Sequence, residues 1–148
     1  MIEQEKIKLG EDIIFYDGVC GLCNKLVQFV LAHGGSLRFL FCSLQSDLAA
    51  RLLTKYGANS TELKTILLIT DYGLPSSKLL VKSQAVLFIL QHCNMPWYLA
   101  SLSSLRFVPE FFLDIAYDLI ANSRYMLFGR YESCLNPRKE VRDRFIDQ

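Results

Sequence analysis

The chain has almost no excess of charge of either sign. Its 148 residues carry 16 Lys and Arg against 15 Asp and Glu, which gives a net charge of +1, and the two signs are interspersed. Nothing in this balance requires nucleic acid as a partner. Since 51% of the residues are hydrophobic and only 21% are charged, a disordered chain is excluded. The length predicts a single domain.

The sequence also predicts no secretory signal. The first residues, MIEQEKIKLGED, are polar and contain no apolar segment of the kind that signal peptides have. The five cysteines are an odd number, which argues against a fully paired disulfide framework. We therefore predict a cytoplasmic protein whose thiols are kept reduced.

Charged residues are absent from Ser83–Leu105. A membrane-spanning helix needs about 20 mostly apolar residues, whereas this segment contains several polar side chains and a proline. We therefore predict two buried helices that are broken near Asn94–Pro96, and we do not expect association with a membrane.

What is present is an alternation of strand-like and helix-like segments. The apolar run Ile13–Tyr16 stops at an Asp-Gly pair and is typical of a fully buried strand. Helical spacing begins at Leu22 and ends at Gly34-Gly35. The further predicted elements are a strand at Leu37–Cys42, a helix from Ser46 to Tyr56, strands at Thr65–Thr70 and Lys78–Lys82, and a helix capped by Ser83. The order β-α-β-α-β-β-α predicts an α/β fold whose mixed sheet starts with a parallel crossover.

The last third is predicted to be a helical extension, about residues 95–148, on a core of about residues 12–94. Pro96 and Pro109 suit the first turn of a helix. A stripe of apolar residues at helical spacing follows Pro109 and ends at Gly129; it consists of Phe112, Ile115, Ala116, Leu119 and Ile120. We expect the aromatic residues of this region to lie in the core, namely Phe107, Phe111, Phe112, Tyr117, Tyr125 and Phe128.

Two cysteines, Cys20 and Cys23, lie where the first predicted strand gives way to a helix. A sulfur at a helix start faces unpaired main-chain N–H groups and the positive end of the helix dipole, and both favour the thiolate. The second cysteine lies one turn later on the same face, where it can resolve a mixed disulfide. We therefore predict thiol-disulfide exchange with Cys20 as the nucleophile and Cys23 as the resolving thiol, without an organic cofactor.

Zinc binding and a purely structural role are the alternatives. Structural zinc takes four ligands, usually from two such pairs, and the other candidates do not repeat the spacing: Cys42, Cys93, Cys134, His33 and His92. Cys42 and Cys93 are expected in the core. A zinc-stabilised binding module thus stays open as an alternative function. A non-catalytic interaction domain, whose Ser83–Leu105 segment would meet a membrane or a partner protein, stays open as well.

Asp17 precedes Cys20 by three residues and has two interpretations. In the first, it accepts a proton from Cys23 during exchange, which a pKa raised by burial would favour. In the second, it caps the helix or shapes the Asp-Gly turn. As an anion beside Cys20 it would oppose thiolate formation, so its surroundings decide its effect.

The motif DGVCGLC, Asp17 to Cys23, resembles the signature of the DCC-type thiol-disulfide oxidoreductase-like proteins, the YuxK-like group. The Asp-Cys-Cys pattern of the name falls on Asp17, Cys20 and Cys23. The similarity continues in SQAV, Ser83–Val86, in AYDLIANSRYMLFG, Ala116–Gly129, and in Cys134 with the tail VRDRFID. It therefore covers nearly the whole chain.

This resemblance implies a thioredoxin-like fold and exchange with protein or low-molecular-weight thiols and disulfides. Thioredoxin-like proteins commonly carry a cis-proline before the strand that follows the second helix; here Thr65 is expected at that place, touching the cysteine pair. Cys134 matches a cysteine of the family pattern and is either a third redox thiol or an anchor of the tail. Arg124 and Arg130 either flank the site and lower a thiol pKa or are structural. Ser83, in the second matching block, is an auxiliary candidate.

Overall fold

Four strands form one mixed sheet in the computed structural model, which describes residues 6–34, 39–59, 65–96, 100–130 and 136–147, apart from the side chain of Ser103. The strands lie in the order β2-β1-β3-β4. The elements are β1 (Asp12–Tyr16), α1 (Gly21–His33), β2 (Phe39–Ser43), α2 (Asp47–Thr54), β3 (Leu67–Thr70), β4 (Lys78–Val81), α3 (Lys82–His92) and α4 (Glu110–Phe128), with 3-10 helices at Ser101–Phe107 and Lys139–Arg144.

The sheet contains both parallel and antiparallel strand pairs, as predicted. β1 pairs in parallel with β2, with Ile14 opposite Phe41, and antiparallel with β3, with Ile14 opposite Leu68. β3 and β4 form the antiparallel hairpin. The α/β prediction is therefore confirmed, and the arrangement is consistent with a thioredoxin-like fold.

Both faces of β1 are buried, which explains its unbroken apolar sequence. Ile13 and Phe15 pack into one cluster with α2, whereas Ile14 and Tyr16 pack into a second cluster with α1 and α3. Because neighbouring side chains of a strand point to opposite faces, a strand buried on both sides needs apolar residues at every position. α4 lies over α1 and α3.

The helix that follows β4 differs from its prediction at the start. It begins at Lys82 with Val81 as its N-cap residue, so Ser83 is not the cap. Lys82 has a left-handed φ of +50°, which turns the chain directly from the strand into the helix. Ser83 instead lies in the first turn, where its hydroxyl donates a hydrogen bond to Asp114 of α4 at 2.5 Å.

The uncharged segment is broken as predicted, since α3 ends at His92. Its second part is not a buried helix, because Ser101–Phe107 is a 3-10 helix with exposed side chains at Leu102 and Leu105. None of the helices in the described ranges combines the length and hydropathy that crossing a membrane would require.

α4 ends before Gly129 as predicted, but its orientation contradicts the expected core. Phe112 is 60% exposed and Leu119 67% exposed, and Phe107, Phe111 and Phe128 are exposed as well. Tyr117 and Tyr125 are half-buried. The face of α4 that packs against the rest of the protein is instead polar. Asp114, Tyr117 and Arg124 lie on it, and each forms a hydrogen bond or an ion pair with a buried polar group.

The C-terminal tail is tied to the sheet. After the exposed 3-10 helix, Phe145 and Ile146 are buried and the Ile146 N–H donates to the Phe41 carbonyl at 3.0 Å. The Asp147 carboxylate accepts the Ser43 N–H at 2.8 Å. The tail is therefore bound along β2, at Phe41 and Ser43.

Candidate active site

Cys20 and Cys23 frame the first turn of α1. Cys20 is the N-cap residue, with extended φ and ψ, and its sulfur accepts the Cys23 N–H at 3.3 Å. A cap is normally an oxygen of Ser, Thr, Asp or Asn; here a sulfur satisfies one of the unpaired N–H groups of the helix start. The cap thus holds the Cys20 sulfur at the positive end of the helix.

The pKa values of the two thiols are shifted in opposite directions. The hydrogen bond from the Cys23 thiol is the main cause that lowers the pKa of Cys20 to about 6, with burial acting against it and the Arg124 charge adding to it. The same hydrogen bond, together with burial, raises the pKa of Cys23. At neutral pH the reduced pair therefore holds one thiolate, on Cys20, and one proton, on Cys23.

Asp17 is held in an ion pair with Arg124 beneath the cysteine pair. The Asp17 carboxylate lies 3.4 Å from the Arg124 guanidinium, which is 4% exposed. It also accepts hydrogen bonds from the Gln45 amide at 2.8 Å, the Val19 N–H at 3.2 Å and the Tyr125 hydroxyl. Burial alone would raise the pKa of Asp17, but the hydrogen bonds and the cation outweigh it and lower the pKa.

A carboxylate with a lowered pKa is a weak proton acceptor, so this site offers little support for Asp17 as the base of Cys23. Its charge is balanced by Arg124, which removes the opposition to the Cys20 thiolate that the sequence suggested. The Arg124 Nε–H, which is buried, has no hydrogen-bond partner among the described residues. Arg124 therefore contributes to the site as a fixed positive charge.

A short segment at the C-terminal end of α4 covers Cys20. This covering segment, Phe128–Arg130, runs antiparallel past the first turn of α1: Arg130 forms a bridge with Cys20, and the Gly21 N–H donates to the Gly129 carbonyl at 3.2 Å. Cys20 is 0% exposed as a result, whereas Cys23 is half-buried. The close approach needs a glycine, because a Cβ on Gly21 would lie 2.2 Å from the Phe128 carbonyl oxygen.

Gly21→Ala is therefore expected to push the covering segment away from Cys20. The added methyl group meets main-chain atoms, which cannot rotate aside, so we expect a loss of about 1–3 kcal/mol in the free energy of unfolding. We also expect faster alkylation of Cys20 by iodoacetamide, read out by peptide mapping of the reduced protein. Gln28→Ala, on an exposed position of the same helix, is the control. An unchanged Cys20 alkylation rate in folded Gly21→Ala would contradict the covering role.

An apolar cleft lies on the other side of the pair. It has a volume of about 220 Å³, and Cys23 and Tyr117 contribute to its wall. The Tyr117 hydroxyl accepts the Ile66 N–H at 2.9 Å and the Thr65 hydroxyl at 2.7 Å. The remaining lining is aliphatic: Leu22, Leu26, Ile66, Val86 and Ile120. We call it the Cys23 cleft.

The structure brings most of the predicted site residues together. Asp17, Cys20, Cys23 and Arg124 are adjacent, and Thr65 reaches the site through Tyr117. Ser83 is bound to Asp114 instead, and the exposed Arg130 contributes its main chain beside Cys20 and lies over the Tyr125 ring. Cys134 lies outside the described residues. Cys42 and Cys93 are buried, as expected.

The described part of the chain contains no set of side chains that could form a zinc site. No group of three or more His, Cys, Asp or Glu side chains is placed there to hold a metal ion. His33 and His92 each bond to a carbonyl of their own helix, those of Phe29 and Phe88.

Three participants were not singled out from the sequence. Tyr117 and Tyr125 belong to the block Ala116–Gly129 that carried the family resemblance, so that block was a signal, but they were assigned to the core. Gln45, which donates to Asp17 across 28 residues, has no motif that would have revealed it.

The chain is thus an α/β protein with one mixed sheet and a pair of cysteines at the start of α1. The family model of the DCC1-like thiol-disulfide oxidoreductases matches residues 14–130. The chain belongs to this family.

Two relatives agree with that assignment. A chloroplastic DCC family protein of Arabidopsis thaliana is 34% identical over 122 residues, which cover 82% of this chain and 67% of that protein. The protein YuxK of Bacillus subtilis is 32% identical over 134 residues, which cover 90% of this chain and 93% of YuxK. No solved structure matches the chain.

Proposed function

We propose that this protein is a thiol-disulfide oxidoreductase that cycles between a Cys20–Cys23 dithiol and a Cys20–Cys23 disulfide. The observation that carries the proposal is the placement of the two cysteines in the first turn of α1, where the Cys20 sulfur caps the helix and accepts the Cys23 N–H at 3.3 Å. The pKa of Cys20 is lowered and that of Cys23 is raised, which suits a nucleophile and a resolving thiol. Family membership supports the same class of reaction. The redox-active disulfide itself takes the place of an organic cofactor.

The cycle moves two electrons between the protein and its substrate. When the protein disulfide is reduced, two substrate thiols lose their electrons and become a substrate disulfide; the opposite direction regenerates the protein disulfide. Arg124 stabilises the thiolate, and Asp17 positions Arg124. The substrates we propose are protein or small-molecule thiols and disulfides.

Replacing either cysteine of the pair is expected to reduce catalysed exchange to the background rate. Cys20→Ser and Cys23→Ser each remove one end of the disulfide, so neither variant can complete the two-electron cycle. The measurement is a redox titration against glutathione with alkylation and peptide mapping of all five thiols. Cys93→Ala, which removes a buried thiol outside the pair, is the control and should behave like wild type. Full exchange activity in Cys20→Ser would overturn the proposal.

A different observation favours one alternative, a non-catalytic interaction module. The outer face of α4 and the preceding 3-10 helix expose a group of large apolar side chains, and such groups often mark interaction surfaces: Leu102, Leu105, Phe107, Phe111, Phe112, Ile115, Leu119, Met126 and Leu127. The test compares Cys20→Ser with wild type. If the variant bound a membrane or a partner protein as wild type does, and if loss of Cys20 changed neither exchange nor phenotype, this alternative would replace the oxidoreductase.

We further propose a reducing compartment such as the cytoplasm. The chain has five cysteines, an odd number that argues against a fully paired disulfide framework, and such thiols stay reduced where glutathione and thioredoxin are active. The name of the Arabidopsis relative places that protein in the chloroplast.

A further inference from the structure

The side of α4 that faces away from the rest of the protein carries a regular row of side chains. Phe112, Leu119 and Met126 are seven residues apart in the sequence. Ile115 and Asn122 alternate with them, so the row advances by three and four residues in turn, as it does where one helix packs along another. All five residues are exposed. We call them the outer row of α4.

The charged side chains of the same part of α4 are bound on its opposite side. Asp114 and Asp118 bond to the first two residues of α3. Arg124 is buried in the ion pair beneath the cysteines. The outer row contains no charged residue, so covering it would not remove any charge of the row from water, which is the costly part of burying a protein surface.

The apolar surface around the row is large enough for a stable dimer. Eight large apolar side chains on α4 and just before it are exposed by between 45% and 83%. Since a fully covered side chain of this size buries about 150–250 Å², the eight together present roughly 900 Å². Interfaces of standard size bury about 800 Å² on each partner. The eight are Phe107, Phe111, Phe112, Ile115, Leu119, Ile120, Met126 and Leu127.

The charges of α4 favour a protein over a membrane as the occupant of this face. A helix that lies on a membrane surface is usually rich in Lys and Arg on its polar face. α4 carries three acidic residues and one basic residue, and the basic residue is the buried Arg124. An anionic lipid surface would therefore be repelled by this helix and not attracted to it.

We propose that the outer row of α4 is the interface of a homodimer, in which it packs against the same row of a second copy of the chain. In a dimer with two-fold symmetry the same surface of both copies meets itself, so one row with this repeat supplies both sides of the contact. Asn122 fits such an interface, because a single polar residue among apolar ones fixes the register of two helices.

The contact leaves the cysteine pair where it is. Tyr117 and Arg124 lie on the inner face of α4, opposite the outer row, and keep their bonds to Ile66 and Asp17 in a dimer of this kind. The proposed dimer therefore does not depend on the exchange function proposed above, and each can be tested without the other.

The first experiment measures the mass of the reduced full chain in solution by sedimentation equilibrium over a range of concentrations. We expect an equilibrium between monomer and dimer with a dissociation constant below about 100 μM, because interfaces of this size dissociate in the micromolar range or below. Reducing conditions exclude dimers that are linked by a disulfide. A chain that is monomeric throughout this range would overturn the proposal.

Leu119→Lys tests whether the outer row forms the contact. Leu119 is the middle one of the three residues spaced by seven, so we expect its replacement to raise the dissociation constant at least about thirtyfold, as the loss of a central interface residue does. Leu119 is 67% exposed and Lys is a good helix former, so the variant is expected to fold. Leu9→Lys is the control, since Leu9 is 73% exposed and lies beside Gly73, away from the row.

A mixing experiment separates pairing of the row with itself from other effects of the substitution. Leu119→Lys and Leu119→Glu each bring like charges together across the two-fold axis, whereas an equimolar mixture brings opposite charges together. We expect the two variants to bind each other at least about tenfold more tightly than either binds itself. Circular dichroism spectra like that of wild type show that both variants are folded.

Three results would overturn the proposal even if wild type is a dimer or binds another surface. The first is an equal effect of Leu119→Lys and Leu9→Lys on the dissociation constant. The second is a mixture of the two folded Leu119 variants that associates no better than either alone. The third is a monomeric wild type that floats with vesicles of phosphatidylcholine and phosphatidylserine, since a membrane would then cover the face.

Discussion

Asp17→Ala is expected to lower the free energy of unfolding by about 3–5 kcal/mol, since removing one partner of a buried ion pair leaves the other charge uncompensated. Arg124 is 4% exposed, and the Asp17 carboxylate is the anion 3.4 Å from its guanidinium. The measurement is urea denaturation of the reduced protein at pH 7, followed by circular dichroism. Because the folded pKa of Asp17 lies below its unfolded value, the contribution is present at this pH and is lost only as the pH falls towards the folded pKa.

The chain offers a matched control for this variant. Lys82 and Asp118 form an ion pair at 3.0 Å whose side chains are 37% and 50% exposed. Asp118→Ala should cost only about 0.2–1 kcal/mol, as exposed pairs do. Asp17→Asn, which keeps the shape but removes the charge, should fall between the two. If Asp17→Ala cost no more than Asp118→Ala, the ion pair beneath the cysteines would not have the structural role assigned to it.

The midpoint potential of the cysteine pair is expected to change its pH dependence near pH 6. Reduction binds two protons only where both thiols are protonated. The pKa of Cys20 is lowered to about 6, and that of Cys23 is raised, so above pH 6 reduction binds one proton. The potential should fall by about 59 mV per pH unit below pH 6 and by about 30 mV per pH unit from there to pH 8, since a tenfold change in the equilibrium constant is about 30 mV for two electrons.

The potential is measured in thiol-disulfide buffers from pH 4.5 to pH 8, with the reduced and oxidised forms quantified by alkylation. A flexible dithiol such as dithiothreitol, whose thiols titrate near the ordinary value of about 8.5 or above, should keep the steeper slope throughout this range and serves as the control. A single steep slope for the protein up to pH 8 would mean that Cys20 is not a thiolate at neutral pH.

Local signals predicted most of the fold. The strand Ile13–Tyr16, the cap at Ser46 and the end of α4 at Gly129 all depend on near neighbours in the chain, and all are confirmed within a residue or two. The orientation of α4 was not predictable in this way. The apolar stripe of α4 faces solvent because the opposite face of the helix bonds to buried polar groups. Those groups belong to other segments of the chain, so the spacing of residues within α4 carries no information about them.

The cysteine pair was equally visible in the sequence, but its surroundings were not. The motif places Cys20 at a helix start, and that alone indicates a thiolate. Its burial depends on Phe128–Arg130, and the neutralisation of Asp17 depends on Arg124, 107 residues further along the chain. Contacts between residues so far apart along the chain produce no spacing pattern in the sequence from which they could be predicted.

By itself, then, the sequence determined the strands and the presence of a cysteine pair at the start of the first helix, because each of these follows from residues a few positions apart. Only the tertiary structure decided what surrounds the two cysteines: Phe128–Arg130 runs past Cys20, and Cys23 contributes to the wall of an apolar cleft. Cys20 has the more acidic thiol, a property that arises largely within one turn of helix. The cleft beside Cys23 exists only because α1, α3, α4 and the residue before β3 meet there.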